Sequence, residues 1–165
     1  MAPRLIVVVA VVVVLAGCGG KADTQSTGVG DGFAAKALAV CQAARNDKQG
    51  WQPFPVSDFD PFHPDPSKFP EVSSWLEGQV SPTFHMWLSG LQALGAPPSA
   101  QEDWKATLDA VEKIDKLNGD QITAANNRDV SAFAAADTDL QSDQDELVAA
   151  SEKAGVPDCA DVHAA

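Results

Sequence analysis

A chain of 165 residues with 45% hydrophobic side chains is long enough for one compact core and too short for two. Its formal charge of −12 argues against a nucleic-acid partner, which needs a basic surface to meet phosphate. The apolar content is uneven, because Leu5 to Ala16 is an almost unbroken Val, Leu, Ile and Ala run that inflates the average.

That run follows Arg4 and is shorter than the roughly 20 apolar residues a spanning helix needs, so it reads as the h-region of a signal peptide. Leu15-Ala16-Gly17-Cys18 comes directly after it and resembles the lipobox of bacterial lipoproteins. The resemblance implies cleavage after Gly17, diacylglycerol on the Cys18 thiol, and a mature protein on the extracytoplasmic face of a cell membrane. Two acyl chains anchor stably where one does not, at about 0.8 kcal/mol per buried methylene. Removing the leader also removes Arg4, leaving 10 basic against 23 acidic side chains and a net charge of −13.

Three units follow: the leader 1–17, a lipidated Cys18 with a tether to Gly32, and a helical domain 33–165. The tether is Gly, Ser, Thr, Asp and Lys with little to bury, and as a flexible coil it reaches about 20 Å. Gly28-Val29-Gly30-Asp31-Gly32 lacks the GxGxxG spacing and a preceding strand, so it is not a nucleotide loop. With Cys18 committed to lipid, Cys41 and Cys159 remain as a pair in an oxidising compartment, and a disulfide is the economical expectation.

The domain reads as four helical segments. Phe33 to about Lys48 places Phe33, Ala37, Val40, Cys41 and Ala44 on one face, and Gly50 closes it. A second segment from about Glu71 to Leu94 carries Leu76, Val80, Phe84, Trp87 and Leu91 at spacings of three or four, with Pro82 kinking or splitting it. Gly95, Pro97 and Pro98 end it. Ser99-Ala100-Gln101-Glu102 has the form of a capping box opening a third helix through Trp104, Leu108 and Val111 to Asn126, past a weak point at Asn118-Gly119. Asp129 caps a fourth, with Phe133, Leu140, Leu147 and Val148, that ends at Gly155 and Pro157. Strand signals are nearly absent beyond residue 20. The expected fold is all-α, an antiparallel four-helix bundle with a long Pro- and aromatic-rich loop between helices 1 and 2, closed by the Cys41–Cys159 bridge.

An Ala-rich chain with a Cys in its first helix and a terminal Gly155-Val156-Pro157-Asp158-Cys159 resembles small helical lipoproteins of high-GC Gram-positive bacteria. That resemblance supports fold and address and transfers no catalytic residue.

The loop from Gln49 to Pro70 interleaves six prolines with Trp51, Phe54, Phe59, Phe62 and Phe69. These aromatics are expected to cover an open side of the bundle, the alternative being a functional loop. Asp58, Asp60, His63 and Asp65 within it match no standard cation site and read as solvated charges. His85 and Met86 in Phe84-His85-Met86-Trp87 raise haem ligation, but such a stripe is ordinarily core. Asp137, Asp139, Asp143, Asp145 and Glu146 read as a solvated acidic face, with a basic protein partner as the sharper alternative. Asp115, Asn118, Asp137 and Gln144 interrupt the apolar register and are candidates for a polar interior; a broad core stripe through Ile114 and Leu117 is favoured for helix 3.

No GxSxG, HExxH, CxxC or P-loop occurs, and His63, His85 and His163 have no nucleophile spacing around them. The expected function is therefore a non-catalytic binding or interaction module of the cell envelope, with no cofactor, no metal and no catalytic residue. Its partners are the membrane, through Cys18, and an envelope protein or small ligand. An envelope enzyme of hydrolase type, or a metal- or haem-binding lipoprotein, is the alternative.

Overall fold

The computed structural model describes residues 28–162. Cys18, the leader and His163 lie outside the described residues, as does the tether up to Thr27. Among the described residues the chain is all-helical, without strands: α1 (Asp31–Gln49), α2 (Phe69–Trp75), a π-helical turn (Leu76–Val80), α3 (Ser81–Gln92), α4 (Gln101–Asn126), α5 (Val130–Ala154) and a 3₁₀ helix (Pro157–Val162).

In α1, Ala37, Cys41 and Ala44 recur at helical spacing and are all buried. The helix starts earlier than the sequence suggests. Gly30, at φ 87°, turns the chain into it and its carbonyl accepts from the amides of Phe33 and Ala34 at 3.1 and 2.9 Å. Upstream, Val29 is fully buried and its amide donates to Ala154 O at 3.0 Å. Gly28 to Gly32, expected as the end of the tether, therefore belong to the folded domain, because Val29 has an apolar slot to fill against the end of α5.

Pro82 neither breaks nor simply bends the second segment. A proline in a helix lacks its N–H and crowds the carbonyl four residues back. Here the preceding turn widens into the π form, the Ser81 amide reaching back to Leu76 O, and Pro82 falls in the first turn of α3. Leu76, Val80, Phe84, Trp87 and Leu91 all stay in the core.

The capping box at Ser99 does not form. Ala100 occupies the N-cap position in the left-handed conformation, φ 51°, with no side-chain cap. The Ser99 hydroxyl instead donates to Gly28 O at 2.7 Å, so the incoming chain has taken the group that the sequence pattern assigned to the helix. Asn118-Gly119 passes without interruption, and Ile114 and Leu117 join Trp104 and Val111 in a broad buried stripe.

α4 and α5 are joined by only three residues and run antiparallel, with Lys113 paired to Asp143 and Gln121 to Asp137. Asp129 caps α5, its Oδ1 accepting from the Ala132 amide at 3.0 Å. Asp129→Ala is expected to destabilise the domain by about 1 kcal/mol, read by urea denaturation, with an unchanged midpoint as the contrary result. At the other end Gly155, φ 78°, sends the Val156 amide to Ser151 O and its own amide to Glu152 O, the Schellman pattern. Val148, expected in the core, is 38% exposed.

Past Gly155 the chain turns onto α1. Cys159 is bonded to Cys41 with a Cα–Cα distance of 5.1 Å. Arg45 holds the same turn, donating to Asp158 O at 2.7 Å and lying 3.3 Å from Asp161 Oδ2.

Candidate functional site

Three regions bring polar or apolar groups together in ways that bear on function. The first is the segment between α1 and α2. Its aromatics pack on the bundle to different degrees: Trp51 and a still 39% exposed Phe54 each meet Trp75 edge-on at 5.5 and 5.1 Å, and Phe59 meets Phe133 at 5.7 Å. Trp51 also donates to Thr83 Oγ1 at 3.0 Å, and that hydroxyl in turn donates to Asp47. Phe62 remains 43% exposed.

Two carboxylates of this segment, Asp60 and Asp65, are occupied by their own backbone. Asp60 accepts from the amides of Phe62 and His63 at 2.9 and 3.3 Å and lies 3.0 Å from His63 Nδ1. The His63 ring, then the Phe62 amide, hold its carboxyl below the usual range. The Ser67 amide and hydroxyl do the same for Asp65. Asp58 sits at φ 57° in a separate turn just upstream. Among the described residues no group of three His, Cys, Asp or Glu side chains is placed to hold a metal ion.

The second region is the seam between α4 and α5, where Asn118, Gln121 and Asp143 are buried at 4, 5 and 1% exposure. Lys113 reaches in from the surface to pair with Asp143 and lies 3.5 Å from Glu146. The Asp143 hydrogen bond raises the Lys113 pKa. One Asp143 oxygen and the Asn118 Nδ2 find no partner among the described residues. Asp143, unlike the solvated acidic face expected of it and its neighbours, is buried. The missed signal is its spacing: it lies three residues after Leu140 and four before Leu147, on the core stripe. Asp115 and Gln144, also candidates for the interior, are only partly buried.

Asp137 accepts from Gln121 Nε2 at 3.1 Å, yet burial pushes its pKa up, with the Asp60 charge adding to the effect. The folded protein thus holds this proton more tightly than the unfolded chain. Stability from this group falls as pH rises from the ordinary carboxylate value of 3.8 through the raised folded value. Asp137→Asn is expected to raise the melting temperature at neutral pH and to lose that advantage below the ordinary carboxylate range. Parallel curves at both pH values would contradict the assignment.

The third region is a pair of apolar grooves. One, of about 370 Å³, lies between α1 and α3 and is lined by Val40, Ala43, Met86, Trp87 and Gly90. Met86, 58% exposed, lies along this groove, while the neighbouring His85 Nδ1 is 3.6 Å from Asp115 Oδ2 on α4. The two candidate haem ligands therefore face different helices. The other groove, about 490 Å³, sits where α3 ends and α4 begins, with Gly95, Ala96, Pro97, Trp104 and Leu108 in its wall.

No family model matches the chain, and no curated protein or solved structure does either. The chemistry these regions offer is apolar binding in the grooves and fixed ion pairing along the α4–α5 seam.

Proposed function

We propose that this chain is a lipid-anchored extracytoplasmic protein that serves as a non-catalytic binding module at the outer face of a cell membrane. The observation that carries the reading is the apolar run closed by Leu15-Ala16-Gly17-Cys18. It is supported by the pairing of the remaining two cysteines, since a structural disulfide belongs to an oxidising compartment. Polar residues Gly19 to Thr27 then separate the lipid from the domain. Within that domain, α1, the α2–π–α3 segment, α4 and α5 act as the four members of an antiparallel bundle, with the 50–68 segment laid over one side. Binding follows from the open apolar grooves, while the strong acidity directs the module toward neutral or basic partners rather than nucleic acid.

Cys18→Ala is expected to leave the leader uncut and the chain without diacylglycerol, as read by intact mass and detergent-phase partition. A variant still cleaved after Gly17 and recovered in the detergent phase overturns the proposal.

A further inference from the structure

The groove at the junction of α3 and α4 lies beside the point where the chain enters the domain. Gly28 O accepts from Ser99 Oγ at 2.7 Å, and a Cβ on Gly30 would sit 3.5 Å from Pro98 Cγ. Phe33, three residues on, meets Trp104 edge-on at 4.9 Å. Pro97, next to Pro98, and Trp104 are both in the groove wall. Entry point and groove therefore share one end of the molecule.

On the lipoprotein reading, on which this inference rests, ten residues, 18–27, separate the lipid from that end. Fully extended they span at most about 36 Å. α4, with 26 residues, is itself about 39 Å long, so its Trp104 end lies beside the point where the tether enters and its Asn126 end lies a helix length farther from it. An open apolar groove of about 490 Å³ is then within a tether's length of the membrane surface. The wall residues Gly95, Ala96 and Pro97 are small, and Leu108 and Trp104 supply an apolar floor. At the rim Glu102 stands beside Lys105, whose charge is already met by Asp109 at 2.5 Å, so no unpaired cation is offered to an anionic headgroup.

We infer that this groove takes up one acyl chain of a neutral or zwitterionic phospholipid from the leaflet that holds the Cys18 anchor. Trp104 lines the floor of the groove, so its fluorescence reports occupancy.

The test uses the full lipidated chain on phosphatidylcholine vesicles in which a fraction of the lipid carries a nitroxide, either at the acyl terminus or next to the carbonyl. Vesicle flotation is measured first. A chain that does not float removes the lipoprotein reading and this inference with it. For a chain that floats, the acyl-terminal nitroxide is expected to quench tryptophan emission at least about twofold more than the carbonyl-proximal one. Trp104→Phe should lose that difference. Ala96→Glu, which places a charge at an exposed wall position, should lose it while retaining Trp104 and the far-ultraviolet helical signal. Quenching that is equal for both labels, stronger from the carbonyl-proximal label, or unchanged in Ala96→Glu overturns the inference. So does a floating chain without quenching, the result expected if the protein's own acyl chain filled the groove.

Discussion

Replacing Cys41 and Cys159 together by Ala is expected to lower the melting temperature of the domain by roughly 7 to 14 °C. The bridge closes a loop with a sequence separation of 118, and constraining so long a loop in the unfolded chain is worth about 2–4 kcal/mol in typical measurements. Both sulfurs are buried, Cys41 at 1% and Cys159 at 0% exposure, and the Trp87 indole donates to Cys41 Sγ at 3.4 Å. Loss of the bridge therefore also removes the covalent tie of the terminal 3₁₀ helix to α1, leaving the Arg45 contacts, the Lys48 hydrogen bond to Val162 O at 3.4 Å and apolar packing to hold it. Calorimetry of the double variant and of the reduced parent should agree. A melting temperature unchanged by either would show that the C-terminal turn is held by packing of Val156, Ala160 and Val162 instead.

The parts of this fold legible in the sequence are those in which one physical signal acts without competition. Ala37, Cys41 and Ala44 have a helical period, and nothing else contends for them. Asp129 and Gly155 do what their residue types do at helix ends, Gly155 even though the Gly28 backbone packs against it, because neither local pattern is displaced by a tertiary bond. Ser99 shows the opposite case. Its pattern with Glu102 is a good capping box, but a distant segment, Gly28, arrives within reach of the hydroxyl, and a tertiary bond displaces the local one. The composition around Val29 is polar and glycine-rich and reads as tether; its burial comes with a hydrogen bond to Ala154 O, far along the chain. The apolar groove beside Trp104 was not legible at all, since its walls come from the ends of two helices whose relative placement no local pattern encodes.

Asp143 gives the second large expected effect. Lys113→Met leaves its carboxylate at 1% exposure with its partner gone, and an unsatisfied buried group of this kind costs about 1–3 kcal/mol. The cost is compounded by the oxygen that already lacks a partner among the described residues. Replacing both groups by apolar side chains of similar size removes the desolvation cost along with the pair, and such exchanges are often neutral or stabilising. The Lys113→Met/Asp143→Leu double variant is therefore expected to be more stable than Lys113→Met alone and close to the parent in urea denaturation. Asp143→Leu alone should fall between them, because the Lys113 amine can turn to Glu146, 3.5 Å away, or to water. Additive losses in the double variant would contradict a desolvated pair and place Asp143 in contact with solvent. The outcome also bears on function: if the apolar pair is as stable as the natural one, stability is not what the buried charge supplies. Its remaining role is then to fix the register of α4 against α5, visible as slower amide exchange along the seam in the parent than in the double variant.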